Sequence, residues 1–194
     1  RSVNRNSSNW ANAKYAAKSH MFTVNNTIDA GIKVRIDSDG LKLGGETAAA
    51  NALNDYEEGT WTPDLQFGGS NSGITYSSRY GHYVKIGNQV TVIARINLSS
   101  KGSASGNAKI EGLPFATKSI TGTQMSIGSI WFSSGGMSIQ GNKSSLYYMV
   151  ARTDGNAQTF VEPKNVGYTS EDSVGDSDFG NSGDMTFSIT YLTE

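Results

Sequence analysis

The sequence has no cysteine and only two histidines among its 194 residues. Without thiols there is no disulfide framework, no thiolate metal site and no cysteine nucleophile. His20 and His82 lie far apart in sequence, which argues against a multi-histidine metal centre within one chain. No long apolar run is present, so no membrane-inserting helix is encoded. The glycine motifs of P-loops and dinucleotide folds are missing, so nucleotide use has no support. There is no long heptad repeat and no basic patch of the kind that binds nucleic acid. Aliphatic residues are scarce too: Leu, Ile, Val and Phe together make about 20% of the chain. Such a low value suits disorder only when net charge is high, and here it is -1.

What the chain has instead is Ser, Thr, Asn and Gly, about 42% of all residues. Nine Tyr, seven Phe and three Trp supply the bulky apolar area. This composition predicts an all-β protein rich in exposed turns. Charge is uneven. All 16 Lys and Arg fall within residues 1–164, whereas residues 165–194 hold six acids and no base. The acidic end reads as a solvated loop, or as a device that orients neighbouring chains.

The first 20 residues are polar and Ala-rich, with Ser8 or Asn9 placed to cap a short helix through Ala17. In Ile32-Lys33-Val34-Arg35-Ile36 apolar and basic residues alternate, as on a half-buried strand. Asp39-Gly40 supplies a turn, and Leu41-Lys42-Leu43 alternates again. The reading is a β-hairpin whose apolar stripe is Ile32, Val34, Ile36, Leu41 and Leu43. One hairpin cannot stand alone in water, and no neighbouring sheet is evident before residue 60. Packing on copies of itself is the economical solution. Residues 46–58 are the other helix-compatible stretch. From residue 60 onward, strand signals follow one another at 60–67, 80–86, 89–98, 108–113, 124–132, 145–152, 158–161 and 185–192. Loops at 68–73, 99–107, 133–144 and 165–184 separate some of them. With no helices between, the arrangement predicts an antiparallel sandwich or barrel. A boundary near residue 55 divides a stem or neck, 1–55, from a compact domain, 56–194.

The run Arg35-Ile36-Asp37-Ser38-Asp39-Gly40-Leu41-Lys42-Leu43-Gly44-Gly45 leads into Leu53-Asn54-Asp55-Tyr56-Glu57-Glu58-Gly59-Thr60-Trp61-Thr62-Pro63. Downstream come Gly81-His82-Tyr83-Val84-Lys85-Ile86-Gly87-Asn88-Gln89-Val90 and Gly112-Leu113-Pro114-Phe115, and near the end Phe187-Ser188-Ile189-Thr190-Tyr191-Leu192. Together they resemble the C-terminal region of tail fibre and tailspike proteins of tailed bacteriophages, over roughly residues 32–118 plus the last strand. The resemblance implies a short β-hairpin stem with helical turns, then a jelly-roll-like β-sandwich tip, in an intertwined homotrimer. It further implies a virion protein of the distal tail fibre. Its partners would be copies of itself, upstream tail proteins and a bacterial surface polysaccharide. Residues 119–184 carry no such likeness.

Several residues invite a chemical reading. Asp55, Glu57 and Glu58 form the densest carboxylate group, but Glu57 and Glu58 on one strand point to opposite faces, which is poor geometry for glycoside hydrolysis. Tyr56, Glu57, Glu58 and Trp61 read better as a stem–tip junction. His82 has no nucleophile or acid near it in sequence. Asp172, Asp176, Asp178 and Asp184, with Asn181, offer hard oxygen donors, yet their spacing matches no EF-hand, and no metal or other cofactor is assigned. For glycan contact the candidates are Trp131, Tyr148, Tyr168 and Phe179, flat faces for sugar rings, with Asp172, Asp176, Asp178 and Asn181 as hydrogen-bonding groups. The leading expectation is a non-enzymatic receptor-binding fibre tip. The alternatives are the non-catalytic C-terminal part of a polysaccharide-degrading tailspike, and a bacterial lectin-like adhesin module.

Overall fold

The computed structural model describes residues 19–23, 32–44, 47–49, 52–53, 55–119, 125–133, 147–152, 157–166 and 171–194. The expected helix over 8–17, most of the 133–144 loop and Tyr168 lie outside the described residues, and so does the Ile32 side chain. The chain forms two compact units, residues 1–54 and 55–194.

In the first unit, β1 (Ser19–Thr23), β2 (Ile32–Asp37) and β3 (Gly40–Leu43) make an antiparallel sheet in that order. The expectation of a hairpin without a neighbouring strand is corrected: β1 pairs along β2 from Ser19↔Asp37 to Thr23↔Ile32. Nothing in Ser-His-Met-Phe-Thr alternates, so periodicity did not reveal it. Ser38 and Asp39 span the tight turn, and Gly40, at φ 126°, opens β3. Asp37 accepts the Asp39 amide at 3.0 Å, and Lys42 Nζ reaches Asp37 at 3.0 Å and Asp39 at 2.6 Å. Lys42 is buried with both acids held against it. Cross-strand pairs Val34↔Leu43 and Ile36↔Leu41 form the apolar stripe. Ile36 and Leu43 are exposed, as is Leu53, whose amide and carbonyl bridge to Leu41.

The second unit is a ten-stranded antiparallel sheet. Its strands are β4 (Tyr56–Trp61), β5 (Asp64–Phe67), β6 (Ile74–Ile86), β7 (Gln89–Lys101), β8 (Ala108–Glu111), β9 (Met125–Phe132), β10 (Tyr147–Arg152), β11 (Phe160–Val166), β12 (Glu171–Ser173) and β13 (Gly183–Leu192). The order is β4-β6-β7-β13-β9-β10-β11-β8-β5, with β12 on β11. The expected helix over 46–58 is not formed at its end, because Tyr56 to Glu58 already belong to β4. The expected single strand over 60–67 is two strands broken at Thr62-Pro63. Proline cannot donate to a ladder, and here it marks a corner.

That corner explains the architecture. β4 and β5 are the two ends of the strand order, yet only Thr62 and Pro63 separate them in sequence. One continuous sheet therefore curls into a half-barrel whose two end strands are joined by that corner, in place of the two separate sheets of the expected sandwich and nearer the barrel alternative. Side chains of β6 hold the corner shut. Tyr76 Oη accepts the Leu65 amide at 3.1 Å, and Arg79 donates to the Pro63 carbonyl at 3.3 Å and to Asp64 at 2.5 Å. The core lies inside the curl: Leu65 and Phe67 of β5 and Ile110 of β8 share one cluster with Val90 to Leu98 of β7 and Met185 to Tyr191 of β13. Alternation along β7 and β13 supplies it, each inward residue being apolar.

Two glycines of the block from Tyr56 to Pro63 and its partner strand have a steric role. Gly59 pairs with Tyr83, and Gly81 pairs with Trp61. A Cβ on Gly81 would lie 2.2 Å from Trp61 Nε1, and one on Gly59 2.8 Å from Tyr83 Oη. Each aromatic ring thus covers the glycine across from it, an arrangement that pins strand register. Trp61 is buried and meets Phe187 edge-on at 6.3 Å. The predicted Gly87-Asn88 hairpin is present, with Ile86 opposite Gln89 and Gly87 at φ 56°.

Candidate functional site

At one end of the curled sheet three loops meet. The β5–β6 connection, 68–73, lies against the β7–β8 connection, 102–107, with backbone packed closely on backbone. A Cβ on Gly68 would fall 2.3 Å from the Ser105 carbonyl oxygen, and one on Gly102 2.3 Å from that of Ser72. Both glycines have positive φ, so sterics and dihedrals together require them. The Gly68 amide donates to the Asn107 carbonyl at 2.9 Å, and the Ser103 amide to Ser72 at 3.1 Å.

The third loop, 174–182, is fastened by its acids. Asp176 accepts the Gly106 amide on Oδ1 at 2.8 Å, and its own amide donates to the Gly106 carbonyl at 3.0 Å. Lys101 Nζ donates to the Asp176 carbonyl at 2.8 Å. Asp178, buried, accepts the Gly175 amide at 2.9 Å and closes a short 3-10 turn, Asp176–Asp178. Ser100 donates to the side-chain carbonyl of Asn181 at 3.3 Å. These bonds leave a rigid, polar end whose exposed surface carries Ser70, Asn71, Ser72, Ser103, Ser105, Asn107, Ser177 and Asn181. Hydroxyls and amides on fixed backbone suit a polar, uncharged ligand.

The structure therefore divides the candidates. Asp176, Asp178, Phe179 and Asn181 come together at this end, but only Asn181 and the edge of Asp176 face solvent. Phe179 is corrected from a ligand platform to a core residue: it is 4% exposed and stacks edge-on with Phe67 at 5.1 Å and Phe132 at 6.1 Å. Asp178 is likewise taken up by backbone. Asp172 sits on β12 in register with Asn165, and Tyr148, half-buried, sits on β10 opposite Ser129 and Lys164. Trp131 is exposed on the outer face of β9, opposite Thr186 of β13. Sequence reasoning missed the loops 68–73 and 102–107 as the site's frame. Their Gly-Gly-Ser-Asn-Ser-Gly and Gly-Ser-Ala-Ser-Gly-Asn runs were visible, but nothing local says that they touch.

The junction acids have partners close by. Asp55 pairs with buried Lys85, Tyr56 Oη donates to Glu58 at 2.7 Å, and Tyr83 Oη donates to Glu57 at 2.5 Å. These bonds raise the Tyr56 and Tyr83 phenols above the usual tyrosine range. Burial pushes Asp64 up, but hydrogen bonds from Gln66, Arg79 and Asn71 outweigh it and hold the carboxyl below its ordinary value. On the outer face Asp184 accepts Arg95 Nε at 2.9 Å, and that bond, then one to Tyr80, raises the guanidinium further. Among the described residues no three His, Asp or Glu side chains gather as a metal site, and no helix is long and apolar enough to cross a membrane.

No family model and no curated protein matches the sequence. A search of solved structures finds the crystal structure of the Dettilon tailspike protein, similar with a TM-score of 0.50 and 22% identity. The match covers 71% of this chain and 23% of that one, so the chain spans about a quarter of that protein's length. The all-β fold is thus similar to part of a tailspike.

Proposed function

We propose that this chain is the distal, receptor-binding part of a phage tail fibre or tailspike-type protein, which attaches the virion to a bacterial surface polysaccharide without cleaving it. The observation that carries this reading is the fold likeness to the tailspike, in a chain whose sequence independently resembles phage fibre tips. The interlocked loop end supports it further. Its serine and asparagine side chains stand on a backbone fixed by glycine contacts and by Asp176, which lowers the ordering cost of binding. Each such contact is weak. Several copies on one particle turn weak contacts into durable adsorption.

The absence of catalysis belongs to the proposal and has its own support. A glycosidase needs two carboxyls facing one sugar. Glu57 and Glu58 are strand neighbours with separate tyrosine partners, and Asp176 and Asp178 hold backbone amides. A second reading follows from the share of the tailspike matched: the same module can be one part of a longer, polysaccharide-degrading protein.

Incubation of the full chain with purified host capsule or O-antigen separates the readings. The expected result is retention on the immobilised polysaccharide with no new reducing ends and no unsaturated products. Cleavage by this chain overturns the non-catalytic assignment. Absence of retention on polysaccharide from any host to which the parent phage adsorbs overturns the attachment reading.

A further inference from the structure

The three loops of the polar end carry charge of one sign. Residues 68–73 and 102–107 hold no ionisable side chain, and residues 174–182 hold Asp176 and Asp178. Residues 165–194, which supply the third loop and the strands on either side of it, contain six acids and no base. The cation that reaches this loop, Lys101, donates to the carbonyl of Asp176 and not to its carboxylate. Asp178 is buried with its carboxylate on the Gly175 amide, so it meets no ligand. Asp176 differs. Its Oδ1 accepts the Gly106 amide at 2.8 Å, which fixes the side chain, and no described residue donates to its Oδ2. Ser105, Asn107 and Ser177, which flank that bond in sequence, are all exposed.

We propose that Asp176 makes the loop end selective for neutral polysaccharide: its Oδ2 accepts sugar hydroxyls, and its charge turns away chains that carry uronate or phosphate. The inference rests on the attachment reading above and names the ligand class of that same end. A carboxylate is an acceptor only, and a sugar hydroxyl supplies the proton it needs. Such a bond is charge-assisted, so it is stronger than the serine and asparagine contacts around it. A uronate carboxylate has no proton to give at neutral pH. It would meet like charge, with no arginine in the three loops to offset it. Discrimination thus comes from a repulsive element as well as an attractive one. Because Oδ1 is already tied to Gly106, the acceptor is in place before the sugar arrives.

The test compares retention of the full chain on two forms of one polymer: capsule or O-antigen purified from a host of the parent phage, and the same polymer after oxidation of its primary hydroxyls to carboxylates. The wild type is expected to hold the native form at least about tenfold more tightly. Its retention on that form should change less than about twofold between low salt and about 0.5 M salt. Asp176→Asn keeps an oxygen for the Gly106 amide and removes the charge, so the preference should fall below about threefold. Unchanged hydrogen exchange at the Gly106 amide separates the lost charge from a loosened loop. Asn181→Asp keeps the acceptor for Ser100, adds a carboxylate to the same loop and should widen the preference; it decides the matter if the first variant loosens the loop. Equal retention of both forms, tighter retention of the oxidised form, or a retained native polymer that itself contains uronate overturns the proposal. So does a preference that neither variant changes. Retention of neither form by the wild type is a different failure: it overturns the attachment reading, and this inference with it.

Discussion

Replacing Gly81 with alanine tests whether ring-over-glycine pairing holds the corner of the curled sheet. The new methyl group would sit 2.2 Å from Trp61 Nε1, 2.6 Å from Cε2 and 2.7 Å from Cδ1. Ordinary contact needs more than 3.4 Å, so the indole must move by about 1 Å or leave. It has little room: Trp61 is 8% exposed, lies against Phe187 and is followed by Thr62-Pro63, which turn the chain into β5. Overpacking of this kind costs about 1–3 kcal/mol, and complete loss of a buried tryptophan about 3–5. Alanine returns about 0.5–1 kcal/mol through lower backbone entropy in the unfolded chain. The net expectation is a loss of about 2–3 kcal/mol, a Tm lower by roughly 5–10 °C in a chain of this length. Urea denaturation followed by circular dichroism measures it. The decisive comparison is the same substitution in a Trp61→Leu background, where the clashing atoms are gone and the cost should fall below about 0.5 kcal/mol. Gly87→Ala is the control: it meets no atom within 4 Å, so its cost of about 1–2 kcal/mol comes from positive φ and is unchanged by Trp61→Leu. Equal costs of Gly81→Ala in both backgrounds refute the reasoning.

Other consequences are as direct. Tyr191 is buried and donates to the Phe115 carbonyl at 2.9 Å, so Tyr191→Phe should cost about 1 kcal/mol by denaturant titration, with no change in midpoint counting against that bond's role. Asp176→Ala removes the acceptor for the Gly106 amide, and hydrogen exchange there should quicken about tenfold while amides of β7 and β13 keep their rates. Thermal melts against pH should show a plateau with two limbs. Asp37 and Asp64 are lowered in the fold, so their stabilisation is present above about pH 4 and lost as pH falls toward their folded values. Tyr56, Tyr76, Tyr83 and Tyr191 are raised, so theirs is complete below about pH 10 and lost as pH climbs. Asp64→Asn should lower the plateau and flatten the acid limb. An unchanged acid limb contradicts the assignment to Asp64.

Alternation made much of the strand content legible. Met185, Phe187, Ile189 and Tyr191 announce β13, and Gly87-Asn88 announces its hairpin, because both signals are local. What sequence periodicity does not carry is which strands pair at long range. The two ends of the strand order meet because Thr62-Pro63 turns β4 into β5, and that corner looked like a single strand from 60 to 67. The site suffered in the same way. Phe179 lies in a polar, acidic stretch and so reads as exposed, yet Phe67 and Phe132 from distant strands enclose it. Asp176 and Asp178 read as free ligands because their partners, the Gly106 and Gly175 amides, are backbone groups without a sequence signature. Trp131 is exposed as expected, but its neighbours across the sheet place it on the outer face.

The central claim is that attachment runs through the loop end. Adsorption of the fluorescently labelled full chain to host cells, compared between two variants, tests it most directly. Asn181→Trp, which obstructs the loop end, should abolish adsorption while the mass in solution stays that of the wild type. Ile93→Lys, on the exposed outer face of β7, should leave adsorption near the wild-type level. Full adsorption by Asn181→Trp together with a loss in Ile93→Lys at unchanged mass would contradict the account, because the outer face would then be the receptor site.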